Sequence, residues 1–95
     1  MFDEPLAPDA ARRRITALVR SGCVRFSRHA LDKVAARELE MADCLNVLRG
    51  GIVGAAEQVH GTWRYPVHTP RGFTVVVAFR SEALLVVVTA WAGEP

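Results

Sequence analysis

The side chains able to move a proton near neutral pH or to hold a phosphate fall in two short clusters. His29 and Lys33 stand four residues apart in a segment of helical period, flanked by Arg28 and Arg37. Arg64 and His68 are also four apart, in a stretch of alternating character that places Thr62, Arg64 and His68 on one strand face and Trp63, Tyr65 and Val67 on the other. At about 3.3 Å per residue, Arg64 and His68 are separated by roughly 13 Å, a span of one or two nucleotides. Metal-free RNA cleavage needs such a kit: a base for the 2′-hydroxyl proton, an acid for the leaving 5′-oxygen, and cations for the phosphate in between.

Each of these residues also has an ordinary structural use. A histidine on the polar face of a helix, as His29 would be, is commonly just solvated, and so is one beside a turn, as His68 would be. Arg64 could pair with Glu57 on a neighbouring strand, a contact worth a few tenths of a kcal/mol. The run Arg12-Arg13-Arg14 reads as a solvated helix face that could also meet an acidic protein or RNA phosphates.

Length and composition bound the rest. Ninety-five residues, 51% hydrophobic, make one domain with one core, and twelve basic against ten acidic residues leave a net charge of +2, too small for bulk charge to identify a partner. The basic residues are almost all arginine, Lys33 being the one lysine, a bias that suits planar recognition of carboxylate or phosphate and equally follows from a GC-rich genome. Cys23 and Cys44 have neither C-x-x-C spacing nor a nearby histidine, so no metal, cofactor or disulfide scaffold is expected, and a reduced, cytoplasmic setting is the default. The acidic start MFDEPLAPD does not read as a secretory leader, and the apolar run Leu84 to Val88 is too short to span a bilayer.

Residues 1–8, with two prolines and two acids, read as a flexible tail ahead of a single domain over 9–95. Asp9 as cap and Gly22 as stop frame a first helix over about 10–21, with Ala11, Ile15, Leu18 and Val19 as its core stripe. Val24 to Phe26 is a short extended piece; Ser27 then caps a helix over 28–38, and a third spans 41–49, with Cys44 on its core face, before Gly50-Gly51. From Ile52 onward the period changes from 3.6 to 2. Strands are expected at 52–59, 62–68, 73–80 and 84–91, joined by short turns such as His60-Gly61, with the last two central and Pro66 marking an edge or an irregularity. The expected fold is α+β, three N-terminal helices on one face of a four-stranded antiparallel sheet.

The stretch Phe26-Ser27-Arg28-His29-Ala30-Leu31-Asp32-Lys33, with Ala36-Arg37, Leu45-x-x-Leu48-x-x-Gly51, Arg64-Tyr65 and Val87-Val88-Thr89, resembles a small bacterial domain family of unknown function with an FSRHA-type motif, over nearly the whole chain. Through Val19-x-x-Gly22-x-Val24-Arg25 and the Asn46-Val47 helix the chain is also similar to the motility-quorum-sensing-regulator toxins, RelE-like mRNA interferases. That resemblance implies a RelE-like fold and a metal-independent endoribonuclease toxin acting on RNA and neutralised by a cognate antitoxin protein. The toxins use lysine, glutamine and tyrosine of the sheet; here the sheet has no lysine, and Arg64 or Gln58 stands in its place.

The residues expected to act are His29, Lys33, Arg64 and Tyr65 in catalysis, with Arg28, Arg37, His68 and Arg71 on the RNA. Tyr65 alternates onto the face opposite Arg64, so a Tyr65 packed in the core leaves the set. The alternative is a non-catalytic RNA- or protein-binding domain of the same fold. Convergence of His29, Lys33 and Arg64 within about 10 Å of one concavity favours the enzyme, and divergence favours the binder. Apolar residues near sheet edges, Ile52-Val53 and Ala90-Trp91-Ala92, add the expectation of a homodimer.

Overall fold

The computed structural model describes residues 2–93. The chain runs α1 (Pro8–Arg20), β1 (Val24–Phe26), α2 (Arg28–Ala35), α3 (Met41–Gly50), β2 (Ile52–Val53), β3 (Glu57–Val59), β4 (Thr62–His68), β5 (Phe73–Ser81) and β6 (Leu84–Ala92). The architecture is α+β with three helices, but the sheet is six-stranded and mixed, not the four-stranded antiparallel sheet expected. Its order is β1-β6-β5-β4-β2, with β3 paired to β4 beside that path.

Two local events make the difference. The short piece after α1 becomes β1 and pairs in parallel with β6, Val24 opposite Leu85 and Phe26 opposite Val87. The single strand expected over 52–59 breaks into β2 and β3, which pair with opposite ends of β4. Pro66 supplies the reason. Its carbonyl accepts from Gly54 N at 2.8 Å, so its nitrogen, which has no hydrogen to give, faces the same side, where the partner strand is interrupted at residues 54–56.

Burial follows the helical stripes. Ala11, Ile15, Leu18 and Val19 of α1 and Cys44, Val47 and Leu48 of α3 enter one core with Tyr65, Val67, Val75, Val77, Phe79, Leu85, Val87 and Ala90 of the sheet. Val87 and Ala90 are three apart and would alternate onto opposite faces of a regular strand. A register shift absorbs the odd residue, because Val76 pairs with Thr89 while Val77 pairs with Val87. The shift also turns Thr89 and Trp91 to the outer face.

Glycine is required where α3 meets the sheet: a Cβ on Gly51 would lie 2.7 Å from both Val47 O and Val67 Cγ1. Arg12 fastens the same place by donating to Gly51 O. His60 and Gly61 both have positive φ, 50° and 79°, as a two-residue hairpin turn of the β3–β4 type demands.

The segment before α1, expected as a flexible tail, lies against the domain. The Phe2 ring packs edge-on against Phe79 at 5.3 Å, with the Arg14 guanidinium over it at 5.2 Å. α1 itself starts two residues earlier than a cap at Asp9 predicts, with Ala7 as cap, Pro8 in its first turn and no side-chain cap bond. No helix among the described residues is long and apolar enough to cross a membrane.

Candidate functional site

The residues of α2 are committed to structure. Ser27 caps the helix by accepting from Ala30 N at 3.1 Å, and its hydroxyl donates to Val88 O at 2.7 Å. Its backbone N–H donates to Val87 O at 2.9 Å, and Lys33 Nζ, one helical turn further along, donates to Ala90 O at 2.5 Å. β1 pairs with β6 only over residues 85–87. Beyond that point β6 has an open edge, and Ser27 and Lys33 satisfy its carbonyls. Lys33 is thereby removed from the catalytic set: an edge carbonyl holds its ammonium. Arg28 forms an i, i+4 ion pair with Asp32 at 3.4 Å on the surface, and His29 is exposed beside it.

Tyr65 leaves the set as well. Its side chain is fully buried against Phe79, ring centroids 5.2 Å apart, and its hydroxyl donates to Glu4 Oε2 at 2.8 Å and accepts from Leu6 N at 3.0 Å. Burial, with Glu4 adding to it, pushes the phenol up to about 12. A buried phenol bound at both its donor and acceptor positions is a clasp for the N-terminal segment.

Arg37 and Arg71 are separated from the sheet face. Arg37, at φ 62°, follows the end of α2 and lines a small hollow with Glu38, Glu40 and Asp43. Arg71, in the turn between β4 and β5, lines a cavity of about 610 Å³ with Asp43, Asn46 and Phe73. Carboxylates border both. Of the apolar residues expected to drive self-association, Val53 and Ala90 are buried, Trp91 is partly buried, and Ile52, 66% exposed, and Ala92 stand out.

The remaining two residues share one groove. Arg64 and His68 face the outer side of the sheet, and with Glu57, Pro66, Val76, Thr89 and Trp91 they line a cleft of about 420 Å³ running from β3 across β4 and β5 to β6. His68 Nδ1 lies 3.0 Å from Thr74 Oγ1, which fixes the plane of the ring. His68, Thr74 and Trp91 form one cross-strand row, and Pro66, Val76 and Thr89 form the next. Arg25, opposite Val86, faces outward from β1, and Arg80 is exposed at the irregularity between Phe79 and Ser81 of β5.

Two polar atoms of this groove are unused. Arg64 Nε and Trp91 Nε1 are screened from water and have no hydrogen-bond partner. Each unsatisfied buried donor of this kind costs about 1–3 kcal/mol. Arg64 and Glu57 sit opposite each other in the β3–β4 register, yet the one ion pair among the described residues is that of Arg28 with Asp32. The pairing expected between Arg64 and Glu57 is therefore not made.

His29, Lys33 and Arg64 thus do not meet at a common concavity: two belong to α2 at the edge of β6, and the third to the outer face of β4. Sequence reasoning missed Trp91, Thr89 and Glu57 as groove residues. The first two reach the outer face only through the register shift in β6, which no local pattern announces. Among the described residues no group of three or more His, Cys, Asp or Glu side chains is arranged to hold a metal ion. No family model, curated protein or solved structure matches the chain.

Proposed function

We propose that the domain binds single-stranded RNA across the outer face of its sheet. The observation that carries this reading is the groove holding Arg64 and Trp91 with their side-chain donors unpartnered. Donors without acceptors call for an acceptor-rich ligand, and the arginines of the face, Arg25 and Arg64, make an anionic one favourable. A half-buried indole offers a base a stacking surface, and a strand-wide groove suits an extended chain better than a duplex. Divergence of His29, Lys33 and Arg64 favours binding over the cleavage site first expected.

Cutting of the bound strand is the stronger form of this reading, and with it the toxin role and its antitoxin partner. The groove offers it two titratable groups, Glu57 and His68, in place of His29 and Tyr65. The test is fluorescence anisotropy of a labelled twelve-residue oligouridylate at low salt, with the same samples run on a denaturing gel in excess EDTA. Binding weakened about tenfold or more by Arg64→Gln supports the reading, since a hydrogen bond to a charged group is worth about 1.5–3 kcal/mol. Binding unchanged in Arg64→Gln would sink it. New bands lost in His68→Ala would establish cleavage; an intact oligonucleotide leaves a binding domain.

A further inference from the structure

The groove contains one feature that a simple phosphate cradle would avoid. Glu57, a carboxylate, lies on β3 directly opposite Arg64 of β4, and both line the groove. Directly opposed residues on one face of an antiparallel pair hold their Cβ atoms about 4.5–5.5 Å apart. The pair is nonetheless not closed into an ion pair, and Arg64 Nε has no partner. A cation and an anion side by side, each left free, match a ligand that presents an anion and a hydrogen-bond donor at the same spacing.

A ribonucleotide has this arrangement and a deoxyribonucleotide does not, because the ribose 2′-hydroxyl sits beside the phosphate on the 3′-oxygen. We infer that Glu57 and Arg64 together read the sugar of the bound strand. Arg64 donates to the phosphate, and Glu57 accepts the hydrogen of the neighbouring 2′-hydroxyl. Without that hydroxyl the carboxylate faces the phosphate with nothing between them, and like charges repel. Glu57 thus favours RNA twice, by a contact made to ribose and by a penalty imposed on deoxyribose.

This inference rests on the RNA-binding reading, and its test separates the two. Anisotropy titrations compare a twelve-residue oligouridylate with oligodeoxyuridylate, which differ only at the 2′ position, for the wild-type chain and for Glu57→Ala and Glu57→Gln. The wild-type chain is expected to prefer the ribose strand by about tenfold or more, as a hydrogen bond to a charged group implies. Glu57→Ala should bind the ribose strand more weakly and the deoxyribose strand more tightly, so that the preference disappears. Glu57→Gln, which keeps an acceptor and drops the charge, should fall between.

A merely structural role for Glu57 would move both affinities in the same direction, and Glu57 is exposed, so its variants are expected to keep the wild-type melting temperature. Equal binding of both strands by the wild-type chain, or a parallel shift of both in Glu57→Ala, would overturn the sugar reading and leave RNA binding standing. Binding of neither strand would overturn both.

Discussion

α2 and β4 carry nearly the same chemical kit, an arginine and a histidine on each, and the structure uses them in opposite ways. On α2, Arg28 is neutralised by Asp32, and Lys33, the second cation of that helix, is spent on a sheet carbonyl. On β4, Arg64 has no partner, and His68 is oriented by Thr74 at the end of an open groove. Residue type separates the two regions poorly, since both contain candidates for phosphate binding and proton transfer. What separates them is whether the fold has already supplied a partner. Polar groups with satisfied partners hold the chain together, and those left unsatisfied beside a cavity are available to a ligand.

The comparison breaks most readily at Ser27. Its hydroxyl both caps α2 and satisfies Val88 O, so Ser27→Ala removes a cap and strands a carbonyl, for a combined loss of about 2–3 kcal/mol. Urea unfolding should show the unfolding free energy falling by that amount, with a lower midpoint, while oligouridylate affinity measured well below the transition stays at the wild-type value. A Ser27→Ala chain of normal stability and reduced affinity would reverse the roles assigned to α2 and β4.

The inward side of β4 gives the next effect. Tyr65 ties the N-terminal segment through Glu4 and Leu6, and Tyr65→Phe should lower stability by about 1–2 kcal/mol. The same clasp sets an alkaline limit. Burial raises the Tyr65 phenol from 10 to about 12, so the folded chain holds this proton more tightly than the unfolded one. Its contribution is fully present below pH 10 and is lost as pH rises to about 12. Cys44, raised by burial from 9.0 to about 11, acts in the same sense and one unit lower. Unfolding free energy should therefore decline from about pH 9 upward, with the steepest decline reduced in Tyr65→Phe. A flat profile across that range would place the hydroxyl in water.

Local order was legible in the sequence where it depends on near neighbours. The stripe Ala11, Ile15, Leu18, Val19, the Ser27 cap and the His60-Gly61 turn all follow from spacings within one turn of chain, and each is where it was expected. Non-local pairing was not. Three residues, Val24 to Phe26, carry no mark of a parallel match with Leu85 to Val87, because the match is made by backbone groups that every residue shares. The unbroken apolar run of β6 hides its faces, so the shift that sends Thr89 and Trp91 into the groove left no trace in the pattern. For the same reason the target of Lys33 could not be read: a carbonyl of a distant strand has no side-chain signature. Arg64 and His68 were recoverable as a pair because strand alternation alone puts them on one face.

The smallest expected effect is the sharpest test of the contrast, because it is a prediction of no change. His29 is exposed on α2, makes no side-chain hydrogen bond among the described residues, and lies on a helix whose cations already have partners. His29→Ala should shift stability by no more than about 0.5 kcal/mol and leave oligouridylate affinity within twofold of wild type. The matching change on the other element, His68→Ala, removes the ring that Thr74 holds against the groove and should weaken binding by a few-fold at similar stability. The two substitutions delete the same side chain from two exposed positions, so any difference between them comes from surroundings alone. If His29→Ala proves the more damaging to RNA binding, the ligand passes over α2, and the open donors of the sheet serve some other purpose.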